Sequence, residues 1–163
     1  KVKLNAVLIG GFNDDEIPAL ADLTRRYPVD VRFIELMPMG GFGFGPEAYL
    51  PCTAVLEALP EMEVLPEEGV AKRYRLPEAL GNIGLITPVS IHFCAQCNRI
   101  RLTADGAVKP CLHAAEEFPL KGLSREGMAG QMRRAIQAKP GCHEPLTYGH
   151  QSHAERNMNQ IGG

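Results

Sequence analysis

Two cysteines a short turn apart, Cys94 and Cys97, are followed after thirteen intervening residues by Cys111, and no other feature restricts the chain as much. A Cys-x-x-Cys pair can aim both sulfurs at one ion. The stretch after the pair supplies a way back. Arg99-Ile100-Arg101-Leu102-Thr103 alternates as a strand does, Ala104-Asp105-Gly106 carries the Asp-Gly turn signal, and Ala107-Val108-Lys109 returns. A hairpin of that length brings Cys111 beside the pair and makes a claw of three thiolates.

Spacing leaves the guest of such a claw open. Zinc takes four closed ligands, and His113 or His92 would complete a structural site. An iron–sulfur cluster normally takes four cysteines, so three would leave one iron open to substrate. Unliganded core thiols are the plain alternative. Arg99 and Arg101 are two apart on the expected strand, so they point to one face beside the claw. A paired guanidinium face suits a polyphosphate and has no use in a structural zinc knuckle. Solvation of an exposed strand face competes with that explanation.

The 163 residues, 45% hydrophobic, suffice for one core, whole or split between two subdomains. A net charge of -2 with scattered basic residues gives no reason to invoke nucleic acid or a membrane surface. The absence of tryptophan argues against a base-stacking platform. No apolar run reaches spanning length and no signal peptide is recognisable. Five cysteines, an odd number, argue against a secreted disulfide framework and for a reducing cytoplasm. Cys52 and Cys142 stand apart from the claw and are expected to be buried or incidental thiols. The chain opens on Lys1 inside an apparent strand, which suggests a fragment whose N-terminal part lies elsewhere.

Val2 to Ile9 alternates and then turns continuously apolar, the pattern of a strand buried on both faces. Asp14 or Asp15 is placed to cap a helix with Pro18 in its first turn and Ile17, Leu20, Ala21 and Thr24 on one face. Val31 to Met37 is a second strand, and the βαβ unit predicts parallel pairing with a right-handed crossover. Lys3, Asn5 and Arg32 are polar positions in these strands, which favours a ligand-facing side; fraying of Lys3 is the alternative. Met39 to Pro46 is a glycine-rich linker or flap without the Gly-Lys-Ser/Thr of a phosphate loop. A short helix is predicted near Thr53–Leu59, with strands over Glu61–Pro66, Ala71–Pro77 and Gly84–Val89. Ser124 is a candidate cap for a last helix in which Met128, Gln131, Met132, Ala135 and Ile136 recur at helical spacing, the methionines as core filler, until Lys139-Pro140-Gly141 stops it; a solvated, histidine-bearing tail follows.

Lys3-Leu4-Asn5, Gly11-Phe12-Asn13-Asp14-Asp15-Glu16, Arg32-Phe33-Ile34-Glu35-Leu36-Met37-Pro38, the run His92 to Arg101, Cys111-Leu112 and Ile161-Gly162-Gly163 together resemble the C-terminal half of the radical-SAM GTP 3′,8-cyclases of molybdenum cofactor biosynthesis. The resemblance runs end to end. It implies an α/β fold: residues 1–38 as the last strands of an incomplete TIM-like (β/α) barrel, and 39–163 as an α+β substrate and auxiliary-cluster domain. It implies a four-iron, four-sulfide cluster on Cys94, Cys97 and Cys111, with GTP as substrate held by Lys3, Arg32, Arg99 and Arg101. Asn5 and Met37 match positions that line S-adenosylmethionine, and Gly162-Gly163 matches a tail that enters the active site. The Cys-x-x-x-Cys-x-x-Cys motif of the radical-generating cluster is missing from this sequence. The expected partner is therefore the N-terminal radical-SAM segment, the complete enzyme allows a homodimer, and the chain alone should be catalytically silent. A zinc-stabilised anion-binding module, or the C-terminal domain of another radical-SAM enzyme with an auxiliary cluster, remains the alternative.

Overall fold

The computed structural model describes residues 1–39, 43–91, 93–143, 146, 152, 156 and 160. These fall into two compact units: Lys1–Met37 with Phe44–Phe93, and Pro38–Gly43 with Cys94–Gly163. In the first, β1 (Lys3–Leu8) leads through α1 (Ile17–Arg26) to β2 (Asp30–Glu35), and the two strands pair in parallel as the βαβ pattern predicts. Asp14 and Asp15 do not cap α1. Glu16 occupies the cap position without a side-chain hydrogen bond, Pro18 sits in the first turn, and Arg25 and Arg26 lie in the last, where the helix dipole favours cations.

The sheet does not stop at β2. After α2 (Thr53–Ala58), the antiparallel pair β3 (Glu63–Glu68) and β4 (Ala71–Arg75) leads to β5 (Ile83–Ile86), which pairs in parallel with β2. The strand order is β1-β2-β5-β4-β3, a mixed open sheet. No closed barrel is present among the described residues. Phe33, Val31, Ile83 and Leu85 bury one face of the sheet against Ile17 and Ala21 of α1 and Val55 of α2. Fully burying a side chain of this size is worth about 1.5–3 kcal/mol, so this single apolar layer carries the first unit.

Glu35 interrupts the apolar core face. It is 1% exposed and accepts from the amides of Cys52 (3.2 Å), Val89 (3.1 Å) and Ser90 (2.9 Å) and from the Ser90 hydroxyl. These four donors compensate a buried carboxylate that would otherwise be costly. Cys52 is the buried thiol expected. Its Sγ lies against the Phe33 and Ile86 carbonyls, and burial together with the Glu35 charge pushes its pKa up to about 12, an inert state.

The second unit carries a three-stranded sheet, β6 (Arg101–Leu102), β7 (Ala107–Lys109) and β8 (Phe118–Pro119), with α3 (Arg125–Gln137) packed on it. The predicted hairpin is there, with Gly106 at φ 89° in its turn, a left-handed value that favours glycine. It is shorter than predicted. Arg99 precedes the strand, so only Arg101 of the arginine pair is paired with β7. Ser124 caps α3 by accepting from the Gly127 amide at 3.2 Å. Met132 and Ile136, expected to face inward, are exposed, and Ala135 alone of this helix is buried. Two short strands offer too little surface to cover a full helical stripe.

Candidate functional site

Each unit presents a basic site of its own. In the first, strand register decides which side chains share a face. Asn5 pairs with Arg32, Arg32 with Gly84, and Gly84 with Arg73, so one row crosses four strands on the side away from α1. Lys3, two residues before Asn5, joins them opposite Asp30. A solvent-open recess there is lined by Lys3, Arg32 and Arg73 together with Asp30, Asn82 and Gly84. Asp30 is ion-paired with Lys1 at 2.8 Å and accepts from the Asn82 amide and side chain. Burial by itself would raise the Asp30 pKa; Lys1 and Asn82 outweigh it and hold the carboxyl below its usual value. Asn5 shares the face and Met37 lies half-buried beyond β2, but neither lines the recess.

In the second unit, Cys94–Gln96 forms a tight 3-10 turn closed by the Cys97 amide on the Cys94 carbonyl at 3.0 Å. Cys94, Cys97 and Cys111 are half-buried and free of disulfides. Lys139 ties the claw together. Its ammonium donates to Cys97 Sγ (3.6 Å) and to the carbonyls of Arg99 (2.9 Å) and Pro110 (3.1 Å), which flank the two ends of the hairpin. Burial and the neighbouring Arg99 charge press the Arg101 guanidinium below its ordinary pKa, while Cys111 and Cys97 act in the opposite sense. Arg101 is thus an electrostatic neighbour of Arg99, Cys111 and Cys97.

Cys142 is not isolated. Burial raises the Cys94 pKa, and the Cys142 and Cys97 sulfurs raise it further against a hydrogen bond from the His143 backbone. His113, a candidate zinc ligand, is hydrogen-bonded with the Ser152 hydroxyl at 3.0 Å and packs its ring at a tilt against His143, centroids 4.4 Å apart. His92, the other candidate, and the Gly162-Gly163 tail lie outside the described residues. Soft thiols near the cationic Arg101 and Lys139 fit an anionic iron–sulfur cluster in donor chemistry. They are neighbours rather than an assembled set: among the described residues no three His, Cys, Asp or Glu are arranged to hold a metal ion.

A clamp on the same hairpin gave no local sequence signal. Arg156 donates two 2.7 Å bonds to Glu117 and one of 2.8 Å to Asp105 in the hairpin turn, and the buried Lys109 ammonium reaches Glu117 at 3.3 Å. The Thr103 hydroxyl first, then Arg156, lowers Asp105 from 3.8 to about 2; Arg156 foremost, helped by Lys109, lowers Glu117. Both folded-state values lie below the unfolded ones. The clamp should therefore contribute through neutral pH and be lost as pH falls through roughly 4 to 2. A carboxyl NMR titration should show Asp105 moving part of the way back toward 3.8 in Arg156→Ala, because Thr103 remains. An unmoved Asp105 would mean that Arg156 does not reach it in solution.

Sequence reasoning singled out Lys3, Asn5, Arg32, Met37, Arg99, Arg101 and the three cysteines, and did not single out Lys139, Arg156 or Glu35, whose partners are far away in sequence. Comparison with known proteins adds the following. The family model described as Molybdenum Cofactor Synthesis C matches residues 29–145. A GTP 3′,8-cyclase of Alkaliphilus oremlandii (strain OhILAs) is 43% identical over 168 residues, 99% of this chain and 52% of that protein. One from Alkaliphilus metalliredigens (strain QYMF) is 44% identical with the same coverage, and one from Moorella thermoacetica (strain ATCC 39073 / JCM 9320) is 42% identical over 99% of this chain and 53% of its own. The chain spans about half the length of these curated relatives. Among the described residues no helix is long and apolar enough to cross a membrane.

Proposed function

Because the chain belongs to the Molybdenum Cofactor Synthesis C family, we propose that it forms the substrate and auxiliary-cluster half of a GTP 3′,8-cyclase, an enzyme that converts GTP with S-adenosylmethionine to (8S)-3′,8-cyclo-7,8-dihydroguanosine 5′-triphosphate. The observation that carries this is the cysteine turn and hairpin, whose disulfide-free thiols include Cys97 and Cys111 near Arg101 and Cys97 against Lys139. Cys94, Cys97 and Cys111 would hold a four-iron cluster; when bound, it supplies an open iron to the guanine of GTP. Everything else is the work of side chains. Lys3, Arg32, Arg99 and Arg101 would each meet the triphosphate as a fixed cation facing a polyanion. Asn5 and Met37 line S-adenosylmethionine, and Gly162-Gly163 lets the tail backbone approach closely. In the complete enzyme β1 and β2 are the last strands of an incomplete barrel whose N-terminal segment carries the radical-generating cluster.

Each charge-assisted contact contributes about 1.5–3 kcal/mol, so Arg101→Ala in the complete enzyme should raise the GTP dissociation constant roughly ten- to a hundredfold. Iron content should stay constant, because the arginine binds substrate and not iron. Titration calorimetry with parallel iron analysis checks both. An unchanged constant, or loss of iron instead, would make the arginines structural.

One observation favours a second reading. Cys142 beside Cys94 offers a fourth thiol, and four thiols would close a zinc site beside an anion-binding face. Iron, sulfide and zinc analysis of anaerobically purified protein separates the two.

A further inference from the structure

We propose that Lys139 is a positioning residue of the cysteine hairpin: it closes the hairpin's open end and sets a fixed positive charge on the Cys97 sulfur, so that an anionic metal–thiolate centre is assembled and kept there. That this centre is an iron–sulfur cluster rests on the function proposed above; the closure rests on the hairpin alone. The β6–β7 ladder pairs Leu102 with Val108 and Arg101 with Lys109 and goes no further toward the cysteines. The next residue on the return strand, Pro110, has no amide hydrogen with which to extend it. Cys97 and Cys111 therefore lie beyond the last ladder pair, at the end where a two-stranded ribbon frays. The Lys139 ammonium spans that end. It donates to the Arg99 carbonyl at 2.9 Å on the outgoing segment and to the Pro110 carbonyl at 3.1 Å on the return.

An ammonium has three hydrogens to donate and accepts none. Two of them engage these carbonyls and fix the nitrogen, and the third reaches Cys97 Sγ at 3.6 Å. A backbone staple needs only the two carbonyls; the bond to sulfur is what points to the metal centre. The base of the side chain is itself held. The Lys139 amide donates to the Ile136 carbonyl at 3.2 Å and the Ala138 amide to the Arg134 carbonyl at 2.8 Å. Lys139 thus issues from the end of α3, a helix capped by Ser124 and packed on β7 and β8. A charge carried on so rigid an element keeps its place when a nearby centre gains or loses an electron. Hydrogen bonds and positive charge at a ligand sulfur favour the more negative, reduced form of a redox-active centre bound to it.

The test uses the complete enzyme as wild type, Lys139→Met, which keeps the stem without charge or donors, and Lys139→Arg, which keeps both. In metal-free protein, Lys139→Met should speed hydrogen exchange at the Arg101 and Lys109 amides about tenfold. Thr103 and Gly106, bonded at the turn to the Ala107 and Thr103 carbonyls, should keep wild-type rates. After anaerobic reconstitution, the hairpin's share of the metal should leave to a chelator roughly tenfold faster in Lys139→Met. The midpoint of one cluster should fall by about 59 mV, a tenfold loss of preference for the reduced form in a one-electron couple. Lys139→Arg should restore the midpoint and most of the protection. Wild-type exchange and metal retention in Lys139→Met overturn the inference. So does faster exchange with an unmoved midpoint, since Lys139 would then be a backbone staple alone. Equal acceleration at Thr103 and Gly106 overturns it as well, because the whole hairpin would be unfolding. In Lys139→Arg, a midpoint shifted as far as in Lys139→Met does the same. If the metal proves to be zinc, the cluster reading fails, and the exchange and chelator measurements still decide for or against Lys139.

Discussion

Cys111→Ser in the complete enzyme, reconstituted anaerobically, should bind about half the iron and sulfide of the wild type and form no cyclised product, because the proposed function assigns one of two four-iron clusters to this cysteine. A serine oxygen is a poor substitute for a soft thiolate toward iron. The position has no local replacement, because Cys111 alone of the three is delivered by the return strand of the hairpin. Cys142→Ser is the informative companion. If the site is a three-thiolate cluster with one open iron, Cys142→Ser should keep its iron and its charge-transfer absorption. If Cys142 is a fourth ligand, iron or zinc should fall as far as in Cys111→Ser. Cys52→Ser should keep all metal, since that sulfur is buried against the Phe33 and Ile86 carbonyls of the first unit. Retention of full iron by Cys111→Ser would remove the cluster from this hairpin altogether.

The parts of this site that were legible in sequence are those written locally. The Asp-Gly turn fixes the hairpin, and a hairpin fixes which residues face each other, so the pairing of Arg101 with Lys109 ahead of Cys111 could be read from spacing. The βαβ unit was legible because α1 and its flanking strands keep clean periods. What was not legible depends on pairing between segments far apart in sequence. Arg73 lies on the strand predicted over Ala71–Pro77, and it comes to share a row with Arg32 only because β5 is inserted between β2 and β4. Lys139 follows α3, and its three acceptors lie 29 to 42 residues upstream. Cys142 read as isolated for the same reason. Arg99 was assigned to the strand because alternation continues through it, yet pairing begins at Arg101. β8 has two residues, one of them Pro119, and no periodicity can announce so short a strand.

Glu35→Ala should be the most destabilising single change in the first unit, by about 3–5 kcal/mol. The carboxylate closes β2 and gathers three separate amides and a hydroxyl in a place that water does not reach. Truncation leaves those donors without acceptors, and each buried unsatisfied group costs about 1–3 kcal/mol before relaxation. Glu35→Gln should be milder and asymmetric. With its oxygen toward Val89 and Ser90 and its amide donating to the Ser90 hydroxyl, only the Cys52 amide loses an acceptor, a cost of about 1–3 kcal/mol. Denaturant unfolding of the complete enzyme should therefore rank wild type above Gln and Gln above Ala. The same anchor fixes residues 89 and 90, a few positions before Cys94, where the chain leaves the sheet for the cysteine turn. Glu35→Gln should accordingly show faster hydrogen exchange at Cys52 while Val89 and Ser90 stay protected, and Glu35→Ala should expose all three. Equal stability of the two variants, or uniform exchange across the three amides, would show that the carboxylate is a passenger and not the anchor of this segment.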